Sequence, residues 1–413
     1  MEISREQKFS GKVKPSICMN AKKFKSKECE CELTKPEVSS CFTITHKDKK
    51  TNARIGKLKT KSGTAETPFF MPVATRAVTK GITSEELKEM KVQAVISNAL
   101  ILYLRQGSEI IKKAGGIKKF MNHKGINFTD CGGFQMYSKS IYINSTEKGI
   151  QFRNPLNGEK LFITPEKDME IQLDINSDIA MCLDSMPMYE HSKKEIAEAV
   201  EKTSLWAKRC KIHHDKLQEK IPKNKRQILF GIIQGGIFED LRKKATEDLM
   251  KLNFEGYSIG GFGLGETIEE EFNIVKKIKE ILPENKPVYL MGIGTPIEIL
   301  KGIALGVDIF DSRMPTQSAR RGTLFTSNGK IKILNEKYKF DYSSLDNNCT
   351  CFVCKNYSKA FLRYQLMNDE TIGQRLAMYH NIYFLTKLIE QAKQKIKQNK
   401  FSEFLKEIEE KYK

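Results

Sequence analysis

The sequence predicts an α/β chain, a (β/α)8 TIM barrel with an inserted hairpin and a C-terminal zinc-binding subdomain. Three observations point there. Eight short apolar runs alternate with amphipathic stretches between Pro68 and Asp311. The third to eighth runs end in an acid, an amide or glycine rather than in more apolar residues. Beyond the last run Cys349, Cys351 and Cys354 are closely spaced, and His380 follows on a helical stretch.

The runs are 69–73, 94–97, 126–129, 179–183, 228–233, 257–259, 288–291 and 307–310. Their near-continuous apolarity suits strands buried on both faces of a parallel sheet. Eight β/α units favour closure into a barrel, with a doubly wound open sheet as the alternative. Thr83-Ser84-Glu85-Glu86 opens a helix as a capping box does, and 269–279 has helical periodicity. The polar stretch 137–161 interrupts the alternation. Its Asn154-Pro155-Leu156-Asn157-Gly158 reads as a turn, so an antiparallel excursion is expected. Another hairpin is expected over 322–333, a helix from about 381 to 397, and then a charged helical tail. The expected domains are a basic extension over 1–40, the barrel over 41–335, and the metal-binding and helical region over 336–413.

Composition narrows the class. The 413 residues carry a formal charge of +19, which favours a polyanionic partner, nucleic acid first. Lys, Ile and Asn are frequent throughout, so charge alone does not decide. No apolar stretch is long enough to cross a bilayer, and the first forty residues have no apolar core of a secretory signal. A cytoplasmic protein is expected. Most of the ten cysteines are scattered, which suits a reducing compartment. Cys349, Cys351, Cys354 and His380 are the exception. Three thiolates and an imidazole supply the tetrahedron that one structural Zn(2+) per chain requires. Cys18, Cys29, Cys31 and Cys41 lack a histidine and paired spacing, so disorder or a small local fold is expected there instead.

Barrels place working groups at the C-terminal ends of strands. Those ends carry Asp130-Cys131-Gly132-Gly133-Phe134-Gln135, Asp184, Gln234, Gly260 through Glu266, Met291 and Asp311. Taken singly, an Asp after a strand is more often a helix cap, and Phe134 or Met291 a core residue. Their convergence on one rim is the argument. Two carboxylates there suit cleavage of a glycosidic bond, one attacking the anomeric carbon and the other moving the proton. A further carboxylate suits the N–H and NH2 edge of a guanine-like base, and an aromatic with a methionine can sandwich its ring.

These motifs resemble the tRNA-guanine transglycosylases, the queuine/archaeosine tRNA-ribosyltransferase family. Asp130 through Gln135 is similar to that family's D-S-G-G-[FY]-Q, and Phe230 through Gly235 to F-G-I-x-Q-G. Gly260 through Glu266 matches G-G-x-x-x-G-E, and Tyr289 through Gly294 matches Y-L-M-G-[VI]-G. Asp308 through Asp311, with Pro315-Thr316, resembles D-M-F-D-x-x-x-P-T, and the resemblance runs from about residue 42 to the C-terminus. It implies exchange of a guanine in tRNA, at the anticodon wobble position, for a 7-deazaguanine base. It makes Asp311 the nucleophile and Asp130 the general acid/base. Asp184, Gln234, Gly260 and Gly261 would read the base edge, Phe134 and Met291 hold its faces, and Glu266 stand beside the 7-substituent. Arg313, Gln317, Arg320 and Arg321 would contact RNA. It also implies a homodimer with the zinc region near the contact.

Departures from the pattern matter. Cys131 replaces a serine, and Thr295 and Gln317 stand where bacterial members often carry basic residues. Met186 and Leu264 would crowd the 7-substituent. A small base, 7-aminomethyl-7-deazaguanine, is therefore expected over queuine, with 7-cyano-7-deazaguanine and queuine as alternatives. A non-catalytic subunit of a heterodimer is the other reading, and retention of Asp130 and Asp311 argues against it. A hydrolase releasing the base to water would share the covalent step.

Overall fold

Parallel pairing runs through eight strands in a computed structural model that describes residues 41–413. The expected extension over 1–40, with Cys18, Cys29 and Cys31, lies outside the described residues. The strands are β1 (Phe69–Pro72), β2 (Ala94–Asn98), β3 (Ile126–Asp130), β4 (Ile179–Met181), β5 (Ile228–Ile233), β6 (Gly256–Ile259), β7 (Val288–Leu290) and β8 (Ile309–Ser312). Each pairs with the next from β2 to β8, and β8 returns to β1 with Ile309 opposite Phe69. A parallel bridge between Val73 and Ile96 carries the remaining seam. The sheet is thus a near-closed barrel, not an open one. Inside it Phe128 meets Phe69, Phe230 and Tyr289 edge-on at 6.2–6.3 Å, the geometry ring quadrupoles prefer.

Three differences from expectation have physical causes. Before β1 lies an antiparallel sheet of Phe42–Lys47, Arg54–Thr60 and Gly63–Thr67. Its period-two pattern over 56–60 buries Gly56, Leu58 and Thr60 while Lys57 and Lys59 face solvent; the lysines masked it in the sequence. The excursion over 137–161 holds one strand more than a hairpin: Tyr142–Thr146, Gly149–Arg153 and Lys160–Ile163. Its turn forms as expected, with Leu156 N donating to Asn154 Oδ1 at 3.0 Å. The long C-terminal helix begins at Thr371, ten residues early, and runs to Lys397. Thr371-Ile372-Gly373 is a poor helix start and has no side-chain cap. Packing overrides that weakness, since Leu376 through Ile382 are all buried. Asn381 sits inside this helix, donating to Pro315 O and Thr323 O at 3.0 and 3.1 Å.

The hairpin expected over 322–333 is present as Thr323–Thr326 against Gly329–Lys332, and Thr83 caps Ser84–Glu89 with a full capping box. No helix among the described residues is long and apolar enough to cross a membrane.

Candidate active site at the barrel mouth

Asp130 is the last residue of β3, and its neighbour in register is Asn98 at the end of β2. Asn98 caps the helix Ala99–Gln106 by accepting from Ile101 N at 2.8 Å. Its Nδ2 then donates to Asp130 Oδ2 at 2.9 Å and to Gln135 Oε1 at 2.8 Å. One amide therefore starts a helix and aims a carboxylate. The chain leaves β3 through Gly132 at φ +87°, where a Cβ would stand 2.5 Å from Leu100 Cβ; only glycine fits.

Asp311 lies in β8. Tyr289 OH donates to its Oδ1 at 2.5 Å and Gly292 N–H to the same oxygen at 2.9 Å. Both donors meet one oxygen, so the charge is held while the second oxygen keeps its lone pairs. Asp184, just past β4, accepts from Gln234 Nε2 at 2.7 Å and from the Cys131 thiol at 3.3 Å. A Cβ on Gly133 would stand 2.5 Å from Asp184 Oδ1, so the second glycine of this motif makes room for the carboxylate. Gln234 is 1% exposed, and its Oε1 has no hydrogen-bond partner.

The three acids feel one another. Burial, then the charges of Asp184 and Asp311, push Asp130 up to about 7, against the Gly132 amide and Asn98. Burial also raises Asp184 and Asp311 above the usual carboxylate range, opposed by Gln234 and Cys131 at the first and by Tyr289 and Gly292 at the second. Burial and the Asp311 charge raise Tyr289 strongly, so it stays a proton donor. The Cys131 thiol is raised by burial and by Asp184, and so is a poor nucleophile.

Phe134 is 44% exposed at the end of this motif, an aromatic left out of the core. Met291 is half-buried, its sulfur 3.5 Å from where a Gly260 Cβ would lie. The carboxylate of Glu266 accepts from the amides of Gly263 and Leu264, tying its own glycine loop. Glu266 and Gly261 line a cavity of about 220 Å³ walled by Met188, Tyr189, Ile196 and Phe238. Neither Met186 nor Leu264 is among its lining residues.

A sequence family described as queuine tRNA-ribosyltransferase matches residues 48–413. The chain belongs to that family. It is 45% identical over 380 residues to the queuine tRNA-ribosyltransferase of Lysinibacillus sphaericus (strain C3-41), covering 92% of this chain and 97% of that one. The protein of that name from Thermoanaerobacter sp. (strain X514) is 45% identical over 371 residues, 90% and 97% of the two chains. That from Bacillus subtilis (strain 168) is 44% identical over 364 residues, 88% and 94%.

In this ribosyltransferase-family chain the expected RNA contacts follow directly on Asp311. Arg313 and Arg321 are exposed at the two ends of the helix Met314–Arg320. Gln317 is half-buried, and Arg320 is half-buried with Nη1 3.3 Å from the Met378 sulfur. Thr295 is used as the cap of the helix Pro296–Ala304, in a box with Glu298.

Cys349, Cys351, Cys354 and His380 bring their ligand atoms within 4.8 Å of one another. His380 Nδ1 lies 3.9, 3.5 and 3.4 Å from the three sulfurs in that order. A tetrahedral zinc with ordinary Zn–S and Zn–N bonds sets that edge at about 3.6 Å. His380 Nε2 donates to Phe325 O at 2.6 Å, which turns the Nδ1 lone pair toward the sulfurs. The donor set fits a metal ion.

The sequence assigned no role in the site to Asn98, Tyr289 or Tyr137. Tyr137 OH and Ser185 Oγ are 2.8 Å apart beside Asp184, and the Tyr137 ring stacks on Tyr142 at 5.1 Å. A polar atom at the tip of an otherwise apolar strand residue was the available signal at Tyr289, and Asn98 closes an apolar run as Asp130 does.

Proposed function

We propose that the chain is a tRNA-guanine transglycosylase of queuosine biosynthesis, acting in the cytoplasm by double displacement at the wobble guanine. The observation that carries this is two carboxylates at one mouth in unlike surroundings. Asp311 has two donors on one oxygen, which oppose the upward pull of burial and favour the anion a nucleophile needs. Asp130, pushed up to about 7, holds a proton it can give and retake.

The target nucleotide leaves its stack to enter the mouth. The free oxygen of Asp311 attacks ribose C1′, the C1′–N9 bond breaks, and Asp130 protonates the departing guanine. The incoming 7-deazaguanine base then gives its N9 proton to Asp130 and attacks C1′, and the ester to Asp311 breaks. Asp184 accepts from N1–H and the exocyclic NH2. Gln234 and the Gly261 amide donate to the 6-oxygen. Phe134 and Met291 cover the ring faces. Arg313, Gln317, Arg320 and Arg321 contact the RNA, and binding is salt-dependent.

Glu266 supports 7-aminomethyl-7-deazaguanine over the cyano base, because a carboxylate rewards an ammonium. The cavity beside Gly261, with neither Met186 nor Leu264 in its lining, favours a second reading, a bulkier amine-bearing base such as queuine. The Cys3His set would hold one structural Zn(2+). A second copy of the chain would cover the zinc region, where Phe340, Tyr342 and Tyr364 stand 73%, 76% and 65% exposed.

The experiment is incubation with unmodified tRNA and each candidate base, followed by mass analysis of the nucleosides. Incorporation of one 7-deazaguanine is expected. Abasic tRNA would make the protein a hydrolase, and unchanged tRNA would remove the proposal.

A further inference from the structure

Arg242 is 1% exposed, in the first turn of the helix Glu239–Met250 that follows β5. Its Nε donates to Gly236 O at 2.8 Å, and its Nη1 donates to Ile233 O at 2.7 Å and to Gly260 O at 2.8 Å. The guanidinium carbon stands 4.3 Å from the centre of the Phe262 ring. Nη2 is buried without a hydrogen-bond partner. The acids whose fields reach the group are Glu266 and Glu271.

Those carbonyls are not arbitrary. Ile233 and Gly236 bracket Gln234, and Gly260 and Phe262 bracket Gly261. The guanidinium therefore clasps the ends of β5 and β6 on both sides of the groups assigned to the base edge.

Gly260 C=O and Gly261 N–H are the two ends of one peptide group. A cation donating onto the oxygen draws electron density from the nitrogen and makes the N–H a stronger donor. No hydrogen bond among the described residues uses the Gly261 N–H. Bond cleavage leaves electron density on the departing guanine, and part of it resides on the 6-oxygen. A fixed donor aimed there is worth more as that charge grows.

We infer that Arg242 is a positioning residue that sharpens recognition of the base's 6-oxygen, acting through the Gly260–Gly261 peptide and through the seat of Gln234. This rests on the transglycosylase reading above, in which those groups face the base.

The test compares unlabelled guanine with 2-aminopurine, which lacks the 6-oxygen and with it the N1 proton, as competitors of labelled guanine exchange into tRNA, each base being compared with itself between wild type and variant. In Arg242→Met, guanine should bind about ten-fold more weakly, the loss of roughly one good hydrogen bond. Binding of 2-aminopurine should change less than about two-fold on the same scale, and the KM for tRNA should hold. Arg242→Lys, which keeps the charge but not the fork, should fall between and serves if the methionine variant does not fold. Equal weakening of both bases, or no weakening of either, would overturn the inference and leave Arg242 a strap. A wild-type protein that exchanges no guanine at all would instead remove the functional reading, so the two failures are distinguishable.

Discussion

The barrel mouth and the Cys3His cluster both crowd ionisable side chains together, and they resolve the crowding in opposite ways. At the cluster the four ligand atoms face one another, and the remaining nitrogen of His380 is tied to Phe325 O. Every group is turned inward, so the set can only hold something. At the mouth hydrogen-bonding capacity is left over. Asp311 has both donors on one oxygen, Asp130 is met by the Asn98 side chain and the Gly132 amide alone, and Gln234 keeps an oxygen without a partner. A closed set makes structure, and an open one is available to a substrate.

The sharpest way to break this contrast is Asp311→Ala. Release of labelled guanine from tRNA should fall by roughly 10⁴-fold or more, with tRNA binding and zinc content as in the wild type. Full exchange by that variant would unseat the nucleophile.

Asp130→Asn comes next, with exchange down by about 10²–10⁴-fold. The wild-type rate should decline as pH rises through about 7, where Asp130 loses the proton it must donate. Stability has its own sign. The folded protein holds this proton more tightly than the unfolded chain, so stability is lost as pH rises from the ordinary carboxylate range to about 7. Removing the charge should stabilise the fold at pH 8 by about 1–3 kcal/mol and change little at pH 4. Melting curves at the two pH values check this, and a variant less stable at pH 8 would refute it.

Cys351→Ser tests the other side. It should lose zinc and destabilise the protein by about 3–5 kcal/mol, since metal binding is coupled to folding. Unchanged metal content by elemental analysis would overturn the ligand set. Tyr289→Phe is the mildest: kcat should fall about ten-fold as Asp311 loses one donor, with the melting temperature and zinc nearly constant. An unchanged kcat would mean the Gly292 amide suffices.

The parts of this arrangement that the sequence exposed share one property. Asp130, Asp184, Gln234 and Asp311 are polar residues ending apolar runs, and burial on both faces makes such runs visible. Residues with two duties were hidden. Asn98 reads as a helix cap, which it is, yet the same amide aims Asp130. Tyr289 reads as core because its ring is core, while its hydroxyl serves Asp311. Arg242 sits among charged residues at a helix start, where an exposed arginine is the ordinary expectation; only the carbonyls of β5 and β6 pull it inside. The sheet before β1 was missed because its lysines alternate with its buried residues.

One contact has a consequence for how the protein is made. Lys393, late in the helix Thr371–Lys397, is buried with its ammonium on Glu66 O at 3.1 Å and Glu390 Oε1 at 2.6 Å. Glu66 belongs to the strand just ahead of β1, 327 residues earlier in the chain. On the ribosome that strand emerges long before its partner is translated. The nascent barrel must therefore wait, its opening strands lacking their final cover, until the helix that carries Lys393 has been made.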